Sequence, residues 1–205
     1  MQEAEISHLH YADGDYLTKS RFISYWHQIN EVLRCGADRV LEVGVGSQVV
    51  ASSLMRMGKC FVTLDLNPAL QPNVVGSIEA LPFADGAFEL AMACQVLEHL
   101  RFVDLPAALR ELHRVASRYV LLSVPNCTRC FCLQVPVPWR GDLRRQFEWA
   151  ASPAYVPYEQ HQWEIGYEGV SSRRLVDLFE QTGFTVETSY RVFEHPYYHF
   201  FVLGR

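Results

Sequence analysis

The feature that most constrains this chain is a short apolar strand that runs directly into a glycine-rich turn. Val40-Leu-Glu-Val-Gly-Val-Gly46 is followed by a helical pattern over residues 49–57. Glycines at such a turn let the backbone approach a ligand closely, because no Cβ stands in the way. In open α/β sheets, ligands bind at the carboxyl ends of the strands. The sequence therefore predicts an α/β fold with a ligand site at this turn, although many ordinary turns also carry two glycines.

Apolar strands and amphipathic helices alternate along much of the chain, which indicates a parallel sheet covered on both faces. Strand patterns occupy residues 39–43, 60–64, 74–75, 88–94 and 119–124, and helical patterns occupy 16–35, 49–57, 104–115 and 171–181. The last two strands, near 184–190 and 198–203, are joined by residues 191–197. That connection is too short for a crossover helix, so we expect this pair to be antiparallel. Residues 127–169 read as an irregular elaboration.

Composition narrows the class of protein. A net charge of −5 argues against a broad nucleic-acid-binding face, which needs clustered positive charge. No apolar run reaches the ~18 residues of a membrane-spanning helix, and the beginning of the chain lacks a secretory pattern. The six cysteines do not resemble a disulfide framework. We therefore expect a cytoplasmic protein that binds neither nucleic acid nor membrane. We also expect a monomer or a homodimer.

Two carboxylates accompany the glycine turn. Asp65 ends the second strand 19 residues after Gly46, close to the ~20 expected for an acid that reaches a ribose hydroxyl. It also has an alternative interpretation as the cap of a helix that follows Pro68. Glu42 lies inside an apolar strand, where an unpartnered carboxylate costs several kcal/mol. A ligand ammonium group or backbone donors would satisfy Glu42, and a water-mediated structural role is the alternative.

A dinucleotide-binding site is the first alternative for this turn. That fingerprint has a third Gly or Ala where this chain has Val49, and a branched side chain there hinders close packing of helix on strand. The mismatch disfavours a nicotinamide-dependent oxidoreductase without excluding it.

The glycine turn and several later motifs occur in a fixed order along the chain. They are Glu42-Val-Gly-Val-Gly46, Asp65, Gly76-Ser-Ile-Glu-Ala-Leu-Pro-Phe-Ala-Asp-Gly-Ala-Phe-Glu89, Gln95-Val-Leu-Glu-His-Leu100, Leu109-Arg-Glu-Leu-His-Arg-Val115, Leu121-Leu-Ser-Val-Pro-Asn126 and Thr182-Gly-Phe184. Taken together, they resemble the class I S-adenosylmethionine-dependent methyltransferases, and most closely the small type 11 group.

The resemblance implies a fold and a domain plan. The fold is a Rossmann-like three-layer α/β/α sandwich whose seven-stranded sheet has the order 3-2-1-4-5-7-6, with strand 7 antiparallel. Residues 1–205 would form a single methyltransferase domain. Within it, about 1–38 would be an N-terminal cap helix, and about 127–169 an inserted segment that binds the acceptor and acts as a lid.

The resemblance also implies S-adenosyl-L-methionine as cofactor and a role for individual residues. Gly44 and Gly46 would approach its methionine part, with Glu42 near the ammonium group. Asp65 would hold the ribose diol. The remaining implied contacts are Leu66, Ser77 and Ile78 at the adenine, Cys94 and Gln95 at the sulfonium, and Tyr16 and Lys19 closing over the cofactor. This chain departs from the family pattern at Gln48, where a glycine is common, and at Ser77 and Glu89, where Asp is common.

The activity implied is methyl transfer to a small-molecule acceptor by in-line displacement, which depends mainly on proximity and alignment. His161 and His99 are the candidate catalytic bases, needed only for a protonated acceptor. Trp139, Tyr158, His161 and Trp163 are the candidate acceptor-binding residues. We predict no metal site, because Cys127, Cys130 and Cys132 lack a fourth ligand. A non-catalytic binding protein of methyltransferase fold remains the second alternative.

Overall fold

The structure, a computed structural model, describes residues 16–139, 141–149, 156–158 and 160–205. Residues 1–15 of the predicted cap lie outside the described residues. So do residues 140, 150–155 and 159 of the predicted insert.

Four helices lie where the apolar periodicity predicts them. They are α1 (Lys19–Cys35), α2 (Val49–Arg56), α3 (Leu105–Val115) and α4 (Ser172–Gln181). Helix α1 begins three residues later than the sequence pattern predicts, because the Thr18 side chain accepts a hydrogen bond from the Arg21 backbone N–H and caps the helix. It ends at Gly36, whose φ of 61° is the left-handed conformation that glycine adopts at little cost.

Nine strands are present among the described residues. They are β1 (Arg39–Val43), β2 (Cys60–Asp65), β3 (Val74–Val75), β4 (Phe88–Cys94), β5 (Ala116–Pro125), β6 (Arg129–Val137), β7 (Gly141–Trp149), β8 (Thr185–Arg191) and β9 (Tyr198–Gly204). Seven of them form one mixed sheet in the order β3-β2-β1-β4-β5-β9-β8. The five strands β1 to β5 pair parallel, and β9 pairs antiparallel with both β5 and β8.

The expected strand order of 3-2-1-4-5-7-6 therefore needs a correction. The order in chain numbering is 3-2-1-4-5-9-8, because strands β6 and β7 form a separate antiparallel hairpin between β5 and α4. The sequence pattern predicted an irregular segment here. Large apolar residues alternate with small or polar ones along β6, which is a strand pattern, and the register places Phe131 opposite Phe147 and Leu133 opposite Arg145. The prolines at 136 and 138 obscured that pattern, although Pro136 itself lies within β6.

The core lies in two layers, one on each face of the sheet. On one face, α3 and α4 pack through residues such as Leu109 and Phe179. On the other face, α1 and α2 pack through residues such as Val32 and Leu54. Because successive residues of a strand point to opposite faces, Leu41 belongs to the first layer and its neighbour Val40 to the second. The layers leave the carboxyl ends of the parallel strands for loops.

None of the helices in the described part of the chain combines the length and apolar character needed to cross a bilayer.

Candidate functional site

The glycine turn after β1 is held against the end of β2 by backbone and side-chain hydrogen bonds. The Gly44 N–H donates to the Leu64 carbonyl at 2.9 Å, and Gly44 adopts a φ of 82°. The Val45 N–H donates to Asp65 Oδ2, also at 2.9 Å. A Cβ built on Gly44 would lie 2.4 Å from Cγ2 of Val96. Gly44 is therefore required by both its conformation and its close approach to the loop after β4.

Asp65 organises this edge of the sheet. Its Oδ2 accepts from Val45, and its Oδ1 accepts from the Asn67 N–H at 2.9 Å. The short 3₁₀ turn that follows is capped by Asn67, whose side chain accepts from the Ala69 N–H. The cap of this turn is therefore Asn67. The alternative interpretation of Asp65 as a helix cap is wrong. Each carboxylate oxygen accepts one protein hydrogen bond among the described residues and has room for another.

Glu42 is the buried charge of the site. Its side chain lies inside β1, and its Oε2 has no hydrogen-bond partner among the described residues. Burial, reinforced by the nearby Asp65 carboxylate, raises the pKa of Glu42 to about 8. An orphaned acceptor beside a glycine turn fits a ligand that brings a positively charged donor.

Gln48, one of the departures from the family pattern, has a backbone conformation that glycine adopts more readily. Its φ of 58° is left-handed, and it caps α2 without a side-chain hydrogen bond to that helix. Its side-chain amide instead donates to the Leu70 carbonyl at 2.6 Å. The chain therefore keeps the backbone shape of a glycine here and ties the turn to the segment after β2.

The two residues predicted at the sulfonium lie at the carboxyl end of β4, with Cys94 as its last residue and Gln95 directly after it. Gln95 has a φ of 58°, and its backbone N–H donates to the Ser123 carbonyl at 2.8 Å. Its side-chain amide donates to Ser123 Oγ at 3.3 Å. Burial raises the pKa of the Cys94 thiol well above its usual range, so this cysteine is a neutral wall residue rather than a nucleophile.

The residues predicted at the adenine line the neighbouring part of the same edge. Leu66 is 54% exposed, while Ile78 is buried. Ser77 is half-buried, and its Oγ accepts from the Glu79 N–H at 3.2 Å. An exposed leucine directly after the strand-ending Asp65 offers an apolar surface to a flat ligand.

The two predicted cap residues, Tyr16 and Lys19, lie at the start of α1. The Arg21 guanidinium lies 3.7 Å from the centroid of the Tyr16 ring, and Lys19 is exposed at the start of α1. Tyr25 was not predicted as a site residue, but its hydroxyl accepts from Ser47 Oγ at 2.8 Å and so joins α1 to the glycine turn. A tyrosine in an amphipathic helix gives no sequence signal for such a contact.

The two candidate catalytic histidines are brought together, although they are far apart in sequence. The rings of His99 and His161 lie edge to face with their centroids 5.2 Å apart. His161 Nδ1 lies 2.8 Å from Oε1 of the fully buried Glu164, an oxygen that also accepts from the Tyr197 hydroxyl. His99 lies in a short 3₁₀ turn just after β4.

Glu98 completes this group and was also missed. It is fully buried, and neither carboxylate oxygen has a hydrogen-bond partner among the described residues. Burial, with the nearby Glu164 carboxylate as a further cause, raises the pKa of Glu98 to about 8. The sequence signal was the one that singled out Glu42, a lone acid in the apolar run Val96-Leu-Glu98.

The other three candidate acceptor residues, Trp139, Tyr158 and Trp163, lie in different surroundings. Trp163 is buried in the core against Phe102, and its indole N–H donates to the Leu100 carbonyl at 3.1 Å, so it has no surface to offer an acceptor. Trp139 is fully exposed in the turn between β6 and β7. Tyr158 is 69% exposed, with its ring centroid 5.6 Å from that of His161. Only Tyr158 therefore lies next to the histidine pair.

Comparisons with known proteins agree with this architecture. Residues 41–122 match the family model described as a methyltransferase domain. Magnesium protoporphyrin IX methyltransferase from Synechocystis PCC 6803, solved with bound S-adenosylhomocysteine, has a TM-score of 0.64 at 12% identity, covering 95% of this chain and 90% of that one. A 1,6-didemethyltoxoflavin-N1-methyltransferase from Burkholderia thailandensis gives 0.56 at 14% identity, with 91% and 86% covered. An S-adenosylmethionine-dependent methyltransferase from Mesorhizobium loti gives 0.58 at 12% identity, with 89% and 98% covered.

No curated protein sequence matches the chain significantly. The solved structures share its fold, and the family model covers the segment that holds the glycine turn, Asp65 and the loop after β4. The resemblance to the class I S-adenosylmethionine-dependent methyltransferases is therefore confirmed.

Proposed function

We propose that this protein is an S-adenosylmethionine-dependent methyltransferase that moves a methyl group to a small-molecule acceptor by in-line displacement. The observation that carries the proposal is Glu42, a buried carboxylate with an unpartnered oxygen beside the glycine turn. The solved structures of similar fold that hold this cofactor or its demethylated product support the choice of ligand.

The residues at the carboxyl edge fit this cofactor by the chemistry of their donors and acceptors. The carboxylate of Glu42 would accept from the ammonium group, and Gly44 and Gly46 would leave room for the methionine part. Asp65 would accept from the ribose hydroxyls with the lone pairs that Val45 and Asn67 do not use. Leu66, Ser77 and Ile78 would surround the adenine, and Tyr16 and Lys19 would close the site from the side of α1.

The cofactor, when bound, supplies an electrophilic methyl group on a positively charged sulfur. The protein contributes orientation and exclusion of water, which account for much of the rate of such a displacement. Cys94 and Gln95 would form the wall at the reacting end, with Gln95 held in place by its two hydrogen bonds to Ser123.

Acceptor selection is proposed for the segment 127–169. The segment begins where β5 ends, at the edge of the sheet that carries the glycine turn. Its later part returns to the loop after β4, because the Gln162 N–H donates to the Glu98 carbonyl at 2.7 Å. Tyr158 and His161 are the acceptor-side residues that this placement supports. The net charge of −5 and the small-molecule substrates named for two similar structures favour a small acceptor.

The nicotinamide alternative is not carried forward. The dinucleotide-binding sheet has the strand order 3-2-1-4-5-6. This sheet instead inserts the antiparallel β9 between β5 and β8.

Calorimetric titration with S-adenosylmethionine and with S-adenosylhomocysteine tests the proposal. We expect one site on the wild type and a loss of affinity of about 10- to 100-fold in Asp65→Asn, since hydrogen bonds to charged groups are worth about 1.5–3 kcal/mol. Asp85→Asn is the matched control, because Asp85 lies near the opposite end of β4 and pairs with Arg114.

Absence of heat with both ligands would contradict the proposal. Binding in the wild type that Asp65→Asn leaves unchanged would contradict the assigned site. Binding without methylation of any small acceptor would instead favour the non-catalytic alternative.

A further inference from the structure

A second group of polar side chains lies beyond the end of β4, apart from the residues assigned to the cofactor. Glu98 and His99 belong to a 3₁₀ turn, and His161 comes from the returning part of the segment 127–169. Backbone hydrogen bonding between Gln162 and Glu98 fixes the two chain segments together. One ligand atom of each of the three side chains lies within 4.8 Å of the other two.

The burial of Glu98 indicates that this group of side chains binds a cation or a hydrogen-bond donor. The side chain has no exposed surface, and both carboxylate oxygens lack a hydrogen-bond partner among the described residues. A buried carboxylate without a partner is costly, and proteins offset that cost with a cation or with hydrogen-bond donors. Among the described residues, the side chains beside Glu98 that could share a metal ion with it are the imidazoles of His99 and His161.

The orientation of both imidazoles suits a metal ion. His161 Nδ1 lies 2.8 Å from the Glu164 carboxylate, and His99 Nδ1 lies 3.2 Å from the Gln160 carbonyl. Both oxygens are acceptors, so each Nδ1 carries the proton that it donates. The lone pair is then on Nε2 in each ring, which is the arrangement found when a carboxylate or carbonyl orients a metal-bound histidine.

We propose that Glu98, His99 and His161 hold a divalent first-row transition-metal ion. Two imidazoles and one carboxylate are ligands that Zn²⁺, Mn²⁺ and Fe²⁺ accept, and three protein ligands leave coordination positions open. This assigns the two histidines a ligand role in place of general-base catalysis. No metal site was predicted from the sequence, since the three cysteines near position 130 lack a fourth ligand and the two histidines are far apart along the chain.

Glu164 is a positioning residue in this site. It is fully buried, and its Oε1 also accepts from the Tyr197 hydroxyl at 3.0 Å, so its own place is fixed. It orients His161 without needing to contact the ion. Removal of such an outer partner typically lowers metal affinity by about 10- to 100-fold.

One consequence rests on the proposed function. An acceptor that offers an oxygen or nitrogen to an open coordination position would be held by the ion at the edge of the sheet where the reacting methyl group is expected. Metal binding itself is measured without cofactor or acceptor, so failure of this site and failure of the proposed function are separate results.

The test is titration of the chelator-treated full-length protein with Co²⁺ and with Mn²⁺. We expect one ion per chain, visible d–d absorption from Co²⁺, and none of the near-ultraviolet charge transfer that thiolate ligands give. Mn²⁺ is informative because it prefers oxygen and imidazole ligands to thiolates. Glu98→Gln and His161→Gln should each weaken binding by on the order of 100-fold or more, beyond the loss typical of an outer partner.

Two further variants sharpen the test. Glu164→Gln should weaken binding by about 10- to 100-fold and shift the Co²⁺ bands, which a purely structural role would not do. His113→Gln is the matched control. His113 lies on helix α3, where it packs against Phe184, and it does not belong to the group. Glu98→Gln preserves the shape of the side chain, and circular dichroism checks that it folds.

The proposal fails if the wild type takes up neither ion, or if Glu98→Gln and His161→Gln bind like the wild type. It also fails if Co²⁺ shows thiolate charge transfer that disappears in the Cys130→Ser/Cys132→Ser variant, whose sulfur atoms lie 3.8 Å apart in the wild type.

Discussion

At the scale of single residues, Glu42 shows a conflict between stability and ligand binding. Its pKa of about 8 in the folded protein stands above the ordinary value of 4.5. Between these two values the folded state holds a proton that the unfolded state has released. The free energy of unfolding therefore falls as pH rises from about 4.5 to about 8, by about 1.4 kcal/mol for each unit of pKa difference.

Glu42→Gln should separate the two effects. Near pH 5 the variant and the wild type carry no charge at this position, and their stabilities should be similar. At pH 8, without ligand, the variant should be more stable by a few kcal/mol, while its affinity for S-adenosylmethionine should be at least about tenfold lower. Urea unfolding at both pH values, with calorimetry alongside, checks this. A variant that loses stability at pH 8 would show that Glu42 has a structural partner.

The same carboxyl group predicts a pH dependence of binding. A ligand ammonium group favours the ionised form of Glu42, so binding should release a proton below about pH 8. Affinity of the wild type should then rise from pH 6 to pH 8, and that rise should be smaller in Glu42→Gln.

Gln48 gives a second prediction at this scale. Alanine is usually more stabilising than glycine within a helix, but the left-handed backbone of Gln48 should reverse that order of stability. Gln48→Ala keeps the strained φ of 58° and loses the hydrogen bond to Leu70. Gln48→Gly loses the same hydrogen bond but relieves the strain, which costs a non-glycine residue about 1–2 kcal/mol. The glycine variant should therefore be the more stable of the two by about 1 kcal/mol in urea unfolding. The opposite order would mean that the turn adopts another conformation in solution.

At the scale of elements, one buried arginine fastens the β6–β7 hairpin to the sheet. The side chain of Arg191, at the end of β8, is 3% exposed and donates to the carbonyls of Asn126 and Thr128. It also forms an ion pair with Glu148 of β7 at 3.1 Å. The hairpin itself presents large apolar side chains to solvent, so this anchor contributes more to its placement than burial does.

Arg191→Met should test this anchor. The change keeps an unbranched side chain but leaves the buried carbonyls at the base of the hairpin without a donor. We expect a loss of about 3 kcal/mol in the free energy of unfolding and faster proteolytic cleavage within residues 129–149. Glu148→Gln is the control, since it removes only the exposed partner and should cost less than about 1 kcal/mol. Equal effects of the two changes would place the anchor in the ion pair alone.

At the scale of the whole molecule, three buried carboxylates converge on one edge of the sheet. Glu42 lies within β1, and Glu98 lies in the loop after β4. Glu164 lies in the part of the segment 127–169 that returns to this loop. A fourth buried carboxylate among the described residues, Glu31 of α1, differs in having partners, since the Arg34 guanidinium and the Tyr190 hydroxyl donate to it. Buried charges that cost stability and are concentrated on the ligand edge are what a functional site is expected to show.

The sequence by itself determined the α/β class, the glycine turn and the acids Glu42 and Asp65. Those features follow from local periodicity and from residues whose spacing along one chain segment is short, so they are readable without tertiary information. It also predicted the antiparallel last strand pair, because a seven-residue connection is too short for a crossover. The β6–β7 hairpin was missed, since its two prolines masked a period-two pattern.

Only the tertiary structure decided how distant segments combine. It buried Trp163 in the core, although its aromatic surroundings suggested an acceptor site, and it gave Gln48 a left-handed backbone that glycine adopts more readily. It also placed Glu98 and His99 beside His161, more than sixty residues away along the chain. Side chains so far apart meet only through packing, and a lone acid in an apolar run does not reveal which partners the fold will bring to it.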